Sequence, residues 1–180
     1  MLQKYFIAIV PPNALLLKIH ELKQHIADTY QSKGALRSPG HTTLHMPFAW
    51  DENKESKLVS CLENFKFNAA IDISLNGFSC FEPRVVFINV NQTEELSQLQ
   101  RQLVRHVKTD LQLFNQADDM RGFHPHITIA FRDLKKAQFY KVWEEFQNKP
   151  FQQNFSCQSI CLLKHVDNHW EVCKEFNFLN

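Results

Sequence analysis

The sequence predicts a mixed fold of helices and strands in which one β-α-β-α-β unit is used twice along 180 residues. Two observations predict it. The order and lengths of the periodic segments repeat in two halves, roughly 1–83 and 84–180. The pattern His-x-Thr also occurs once in each half, at His41-Thr43 and at His126-Thr128, 85 residues apart. Alternation of helix and strand does not by itself fix the strand order of a sheet, so the topology stays open at this level.

In the first half, YFIAIV at 5–10 reads as a strand ended by Pro11 and Pro12. From Asn13 to about Tyr30, Leu15, Ile19, Leu22 and Ile26 recur at the spacing of an amphipathic helix. The stretch QSKGALRSPG at 31–40 is punctuated by glycine, serine and proline and reads as a loop. A strand beginning at His41, a helix from about Glu52 to Phe65 and a strand AAIDISLNGFSCF complete the unit. The second round opens with the strand RVVFINV at 84–90. A helix follows from about Glu94 to Asp110, with Leu96, Leu99, Leu103 and Val107 inward, then a loop at 111–122, a strand from His124 and a helix from about Lys135 to Phe146. One long strand near 153–165 follows, and HWEVCKEFNF at 169–178 pairs with it through the turn HVDNH.

Hydrophobic residues make up 44% of the chain, and sixteen of its residues are phenylalanine, enough for a packed core in one domain or two small fused lobes. A net charge of +1 provides no strong overall field, so a nucleic-acid partner has to be held by a local patch. Five cysteines, at 61, 80, 157, 161 and 173, include no CxxC pair, which argues against a disulfide framework or zinc knuckle and for a reducing cytoplasm. The apolar run before Pro11 is too short for a signal h-region or a membrane span, so no membrane partner is expected.

Within FHPHITIAF at 123–131, a period of two puts His124, His126, Thr128 and Ala130 on one face, with Pro125, Ile127 and Ile129 on the other. Within GHTTLHMPF at 40–48, His41, Thr43 and His45 share a face and Leu44 and Met46 oppose it. A single such pair is ordinarily a solvated or satisfied surface feature. Two copies at equivalent places can both face one cleft if the halves pack about a pseudo-twofold axis. His124 and His126 could instead chelate zinc with His41 or His45, but threonine is a poor zinc ligand and no carboxylate or cysteine lies on either stripe, so no metal is expected. No Gly-x-Ser-x-Gly elbow, P-loop or dinucleotide fingerprint is present, and no cofactor is expected. Two imidazoles facing one phosphorus centre can act as general base and general acid near neutrality, each proton transfer being worth roughly 10²–10⁴-fold in rate. Threonine hydroxyls on the same faces can donate to non-bridging phosphate oxygens.

HTTL at 41–44 and HITI at 126–129 resemble the paired His-x-Thr/Ser-x motifs of the two-histidine phosphoesterase superfamily, which includes bacterial 2′-5′ RNA ligases and 2′,3′-cyclic nucleotide phosphodiesterases. The opening YFIAIVPP and the run FHPHITIAF are similar to that family's first strand and second motif, and the resemblance spans nearly the whole chain. It implies an α+β fold in which two pseudo-symmetric lobes surround a central cleft, with the motif strands facing each other. It also implies His41 and His126 as catalytic residues and Thr43 and Thr128 as phosphate-binding residues. The activity implied is opening of a 2′,3′-cyclic phosphate to a 2′-phosphate, with reversible ATP-independent 2′-5′ RNA joining as a related reaction. Many RNA ligase-type members carry an arginine soon after the second threonine; here Phe131 intervenes and Arg132 stands four residues on, which parity keeps on the stripe if no bulge intervenes.

Further candidates for holding the substrate are Lys33 and Arg37 before the first motif and Arg132 after the second. Phe6 or Phe48 could stack on a base, and His45 and His124 lie beside the motifs. Each of these also has an ordinary place as a surface cation, a core ring or a rim residue. Arg101, Arg105 and Lys108 form a modest basic ridge at helical spacing, usually a solvated face. The expected partner is a nucleotide or RNA with a 2′,3′-cyclic phosphate end, met by a monomer. The alternative is a non-catalytic nucleotide- or RNA-binding module on the same fold, and which histidine is acid and which base is not decided by the sequence.

Overall fold

The computed structural model describes residues 1–115 and 122–179. In chain order the elements are β1 (Leu2–Ile9), α1 (Asn13–Tyr30), a 3-10 turn (Gly34–Arg37), β2 (Thr42–Asp51), a second 3-10 turn (Glu52–Lys54), α2 (Glu55–Glu63) and β3 (Ile71–Phe81). They continue with β4 (Val85–Val90), α3 (Glu94–Leu111), β5 (His126–Ala130), α4 (Lys136–Phe146), β6 (Gln152–Cys157), β7 (Ser159–Val166) and β8 (His169–Asn177). Of the expected loop at 111–122, residues 116–121 lie outside the described residues.

The strands form two four-stranded antiparallel sheets, ordered β2-β1-β7-β8 and β5-β4-β3-β6. These are the sheets of two pseudo-symmetric lobes around a central cleft, an α+β architecture. Neither sheet comes from one half of the chain: β3 is seated between β4 and β6, and β7 between β1 and β8. The helices cross over as well. α3 packs on β2 and on α2, while α1 packs on β5 and on α4.

Central strand β1 shows why its run is apolar throughout. Tyr5, Ile7 and Ile9 join the main core with Ile19, Leu44 and Leu103. Phe6 and Ala8 face the other way, where with Cys161 and Leu163 they form a small second cluster against which Trp170 packs. A strand covered on both faces loses the polar alternation of a half-exposed one.

The expected single strand over 153–165 is two strands. The chain leaves the second sheet after Cys157 and enters the first at Ser159. The switch point is fastened by the Phe178 N–H donating to the Gln158 carbonyl at 3.0 Å. Because the apolar pattern runs on past residue 158 with no glycine or proline to interrupt it, the change of partner leaves no local mark. No helix among the described residues is long and apolar enough to cross a membrane.

Candidate active site

The two motif strands, β2 and β5, lie at the edges of their sheets and approach each other with Cα atoms within 8 Å. His41 stands just before β2. Gly40 ahead of it lies so close to α1 that a Cβ would sit 2.9 Å from the Ile19 Cγ2, so the glycine lets the loop lie flat on the helix. The His41 Nδ1 is 2.8 Å from the Pro39 carbonyl, and since a carbonyl only accepts, Nδ1 carries the hydrogen and donates. The ring lies 4.7 Å from that of Phe6 on β1. His126, the first residue of β5, repeats this: its Nδ1 donates to the His124 carbonyl at 2.7 Å, and its ring lies 4.8 Å from Phe87 on β4. In both, the tautomer leaves the Nε2 lone pair as the basic site.

Burial pushes the His41 imidazolium down to about 4; the Pro39 carbonyl works against this, and the positive charges of Lys23 and His126 add to it. His126 is also lowered, chiefly by burial, opposed by the His124 carbonyl and assisted by the charge of the His124 ring.

Thr43 and Thr128 are half-buried, alternating with the buried residues Thr42 and Leu44 in one strand and Ile127 and Ile129 in the other. Immediately after each threonine the register slips. Ala8 and Ile7 pair with Thr43 and His45, and Phe87 and Val86 pair with Thr128 and Ala130, which leaves Leu44 and Ile129 as extra residues. These equivalent bulges reverse the expected parity. His45 therefore does not share the His41 face: it is 1% exposed, its ring 5.2 Å from Phe48 and its Nδ1 3.0 Å from the Met46 carbonyl. Ala130 is likewise buried rather than on the polar stripe. The β2 bulge is held from α3 by Gln100 Nε2, which donates to the Leu44 carbonyl at 3.3 Å. His124 lies ahead of β5, is exposed, and contributes its carbonyl and a ring 6.0 Å from that of His126.

Arg132 does not continue the stripe, because the bulge intervenes and its backbone turns left-handed at φ 66°; its guanidinium rests 5.3 Å from the Phe131 ring. Lys33 and Arg37 are exposed in the loop and turn before β2. The residue that joins these segments, Asp133, was missed in the sequence. Its carboxylate accepts from the Ser32 hydroxyl at 2.8 Å, the Lys33 N–H at 2.8 Å and the Gly34 N–H at 3.0 Å. Burial works against its ionisation, but these hydrogen bonds outweigh it and hold the carboxyl below its usual range.

Phe6 is 3% exposed and floors the site beneath His41, too covered to offer a base a face, while Phe48 packs towards the main core beside Tyr5 and His45. The more open rings were overlooked. Trp170 is half-buried 4.7 Å from Phe6, with His165 4.9 Å beyond it, and Phe81 is 42% exposed 5.3 Å from His126. Trp170 reads in the sequence only as part of a hairpin, and Phe81 only as a strand end. Among the described residues, Cys61, His106 and Asp110 form a group with metal-ligand chemistry, their ligand atoms within 4.8 Å. They lie on α2 and α3, not on a motif strand. Burial and Asp110 push the Cys61 thiol up to about 11, and the His106 Nε2 donates to the Cys61 carbonyl at 2.8 Å.

A family model described as the 2′-5′ RNA ligase superfamily matches residues 11–169. A putative phosphoesterase of Bacillus pumilus (strain SAFR-032) is 27% identical over 182 residues, covering 96% of each chain. Among solved structures, E. coli LigT complexed with 3′-AMP is similar over 100% of both chains, with a TM-score of 0.70 at 20% identity. A crystal structure described as a phosphoesterase gives 0.68 at 21% identity, again over 100% of both chains. At these identities the structural likeness concerns the fold.

Proposed function

This chain belongs to the 2′-5′ RNA ligase superfamily, and on that premise we propose that it opens 2′,3′-cyclic phosphodiesters of nucleotides or RNA ends to 2′-phosphates without a metal. ATP-independent 2′-5′ joining of RNA ends is the same ring opening with the 5′ hydroxyl of a second RNA end in place of water. The observation that carries this is the matched pair of imidazoles, each with Nδ1 donated to a carbonyl two residues upstream and Nε2 left for a proton in transit. One neutral ring takes the proton of water as it attacks phosphorus, the other as imidazolium protonates the leaving ribose 3′ oxygen, and Thr43 and Thr128 donate to the non-bridging oxygens. The half-buried Trp170 and the exposed Phe81 flank the histidines as stacking surfaces for a base. The 3′-AMP of the E. coli LigT complex supports a nucleotide ligand. Five free thiols support action in a reducing cytoplasm.

The test is to incubate EDTA-treated protein with 2′,3′-cyclic nucleotides and cyclic-phosphate-ended RNAs and to locate the phosphate in the product. A 2′-phosphate is expected, with a loss of about 10²–10⁴-fold for His41→Ala or His126→Ala and a smaller loss for Thr43→Ala or Thr128→Ala. Undiminished activity of the double histidine variant, or activity that returns only with a divalent cation, would overturn the mechanism. Binding without turnover across the panel would make the protein a nucleotide-binding module.

A further inference from the structure

The likeness of the two halves fails behind the first histidine. The halves align on α1 and α3 with the offset that relates Phe6 to Phe87, so that Leu15, Leu22 and Ile26 correspond to Leu96, Leu103 and Val107. Under that alignment Lys23 corresponds to Val104. Lys23 is 2% exposed, and its Nζ donates to the Ser38 carbonyl at 3.0 Å, one residue before the Pro39 carbonyl that receives the His41 Nδ1 hydrogen. The first imidazole thus has a buried cation behind its loop where the second has a valine.

We propose that Lys23 is a positioning residue for His41: it fixes the loop carrying the Nδ1 acceptor and disfavours a second positive charge on the ring, which makes His41 the base and His126 the acid in opening the cyclic ester. In balanced form, the His41 Nε2 takes a proton from water, the water oxygen bonds to phosphorus, the bond from phosphorus to the ribose 3′ oxygen breaks, and His126 Nε2–H gives its proton to that oxygen. A second cation near His41 is unfavourable because a neighbouring like charge disfavours the protonated ring. Among the described residues, the other titratable groups around this ring are His126 on β5 and His20, which lines the same hollow as Lys23 on α1; Phe6 on β1 carries no charge. Among the described residues, His126 has the more exposed His124 ring acting on it in this way. Burial lowers Lys23 itself to about 8, so the ammonium persists through neutrality.

The assignment of base and acid rests on the proposed hydrolysis, whereas the coupling of Lys23 to His41 is measured in the free protein. The ring ¹⁵N shifts of His41 and His126 would be titrated in wild type, Lys23→Met and Lys23→Arg. Lys23→Met should raise the His41 midpoint and leave His126 in place, and Lys23→Arg should restore it. An unmoved His41 midpoint in Lys23→Met overturns the coupling. The roles are tested separately with a 3′-deoxynucleoside 2′-(p-nitrophenyl phosphate), whose nitrophenolate departs without a proton. This substrate should rescue His126→Ala at least tenfold relative to the cyclic ester and should not rescue His41→Ala. The opposite pattern reverses the assignment, and it can be read even if Lys23→Met does not fold.

Discussion

His41 is held neutral by its surroundings, and this has a consequence for stability as well as for catalysis. In the unfolded chain a histidine binds its proton near 6.5, whereas in the fold burial lowers this one to about 4. Between those values the unfolded state holds more protons, so stability is complete above about 6.5, declines as pH falls through this window, and is lowest below 4. The difference corresponds to about 3 kcal/mol at pH 4. Urea midpoints at pH 7 and pH 4 should therefore differ by much less in His41→Asn than in wild type, and an equal difference in both would show that the ring is not desolvated. The motif residues were legible because histidine and threonine recur at the same interval in both halves. His45 was misplaced because its face depends on one extra backbone residue, Leu44, which a side-chain pattern does not register. Lys23 stayed hidden because a lysine on an amphipathic helix ordinarily reads as solvated, and its burial depends on a loop that packs on it from beyond the helix.

Asp133 ties the connection that follows β5 to the one that precedes the first motif. The Ser32 hydroxyl and the Lys33 and Gly34 N–H groups precede the first motif, while the carboxylate that receives them follows β5. The fit is close, since a Cβ on Gly34 would lie 2.5 Å from the Phe131 carbonyl oxygen. Because Asp133 is itself exposed, water can replace some of what it supplies, and Asp133→Ala should cost about 1–2 kcal/mol rather than the full desolvation of three donors. Amide exchange at Lys33 and Gly34 should accelerate in that variant, and exchange rates equal to wild type would show that the segment is held elsewhere. The helices and most strands were legible as elements because their periodicity is local. The division of 153–165 into β6 and β7 was not, because it is a change of neighbour rather than of conformation, and strand partners at a separation such as Tyr5 and Lys164 leave no trace in either segment.

At the scale of the whole molecule, the exchange of β3 and β7 makes each lobe depend on both halves of the chain. In a fragment ending at residue 83, β3 would have neither β4 nor β6, β1 would lose β7, and α1 would lose its seat on β5 and α4. Unpaired strand edges and uncovered apolar faces are poorly stable in water. The main core is also one continuous cluster that includes Tyr5 and Leu44 from one sheet and Val86 and Ile127 from the other. We therefore expect the lobes to unfold together although a cleft separates them. Single-tryptophan variants keeping Trp50 on β2 or Trp143 on α4 should give coincident urea transitions, and far-UV circular dichroism should follow the same curve. The fragment 1–83 should show no cooperative melting alone and should regain it when mixed with 84–180. Separate midpoints for the two tryptophans, or a melting transition of the isolated first fragment, would mean that the lobes are independent units and that the exchanged strands do not couple them.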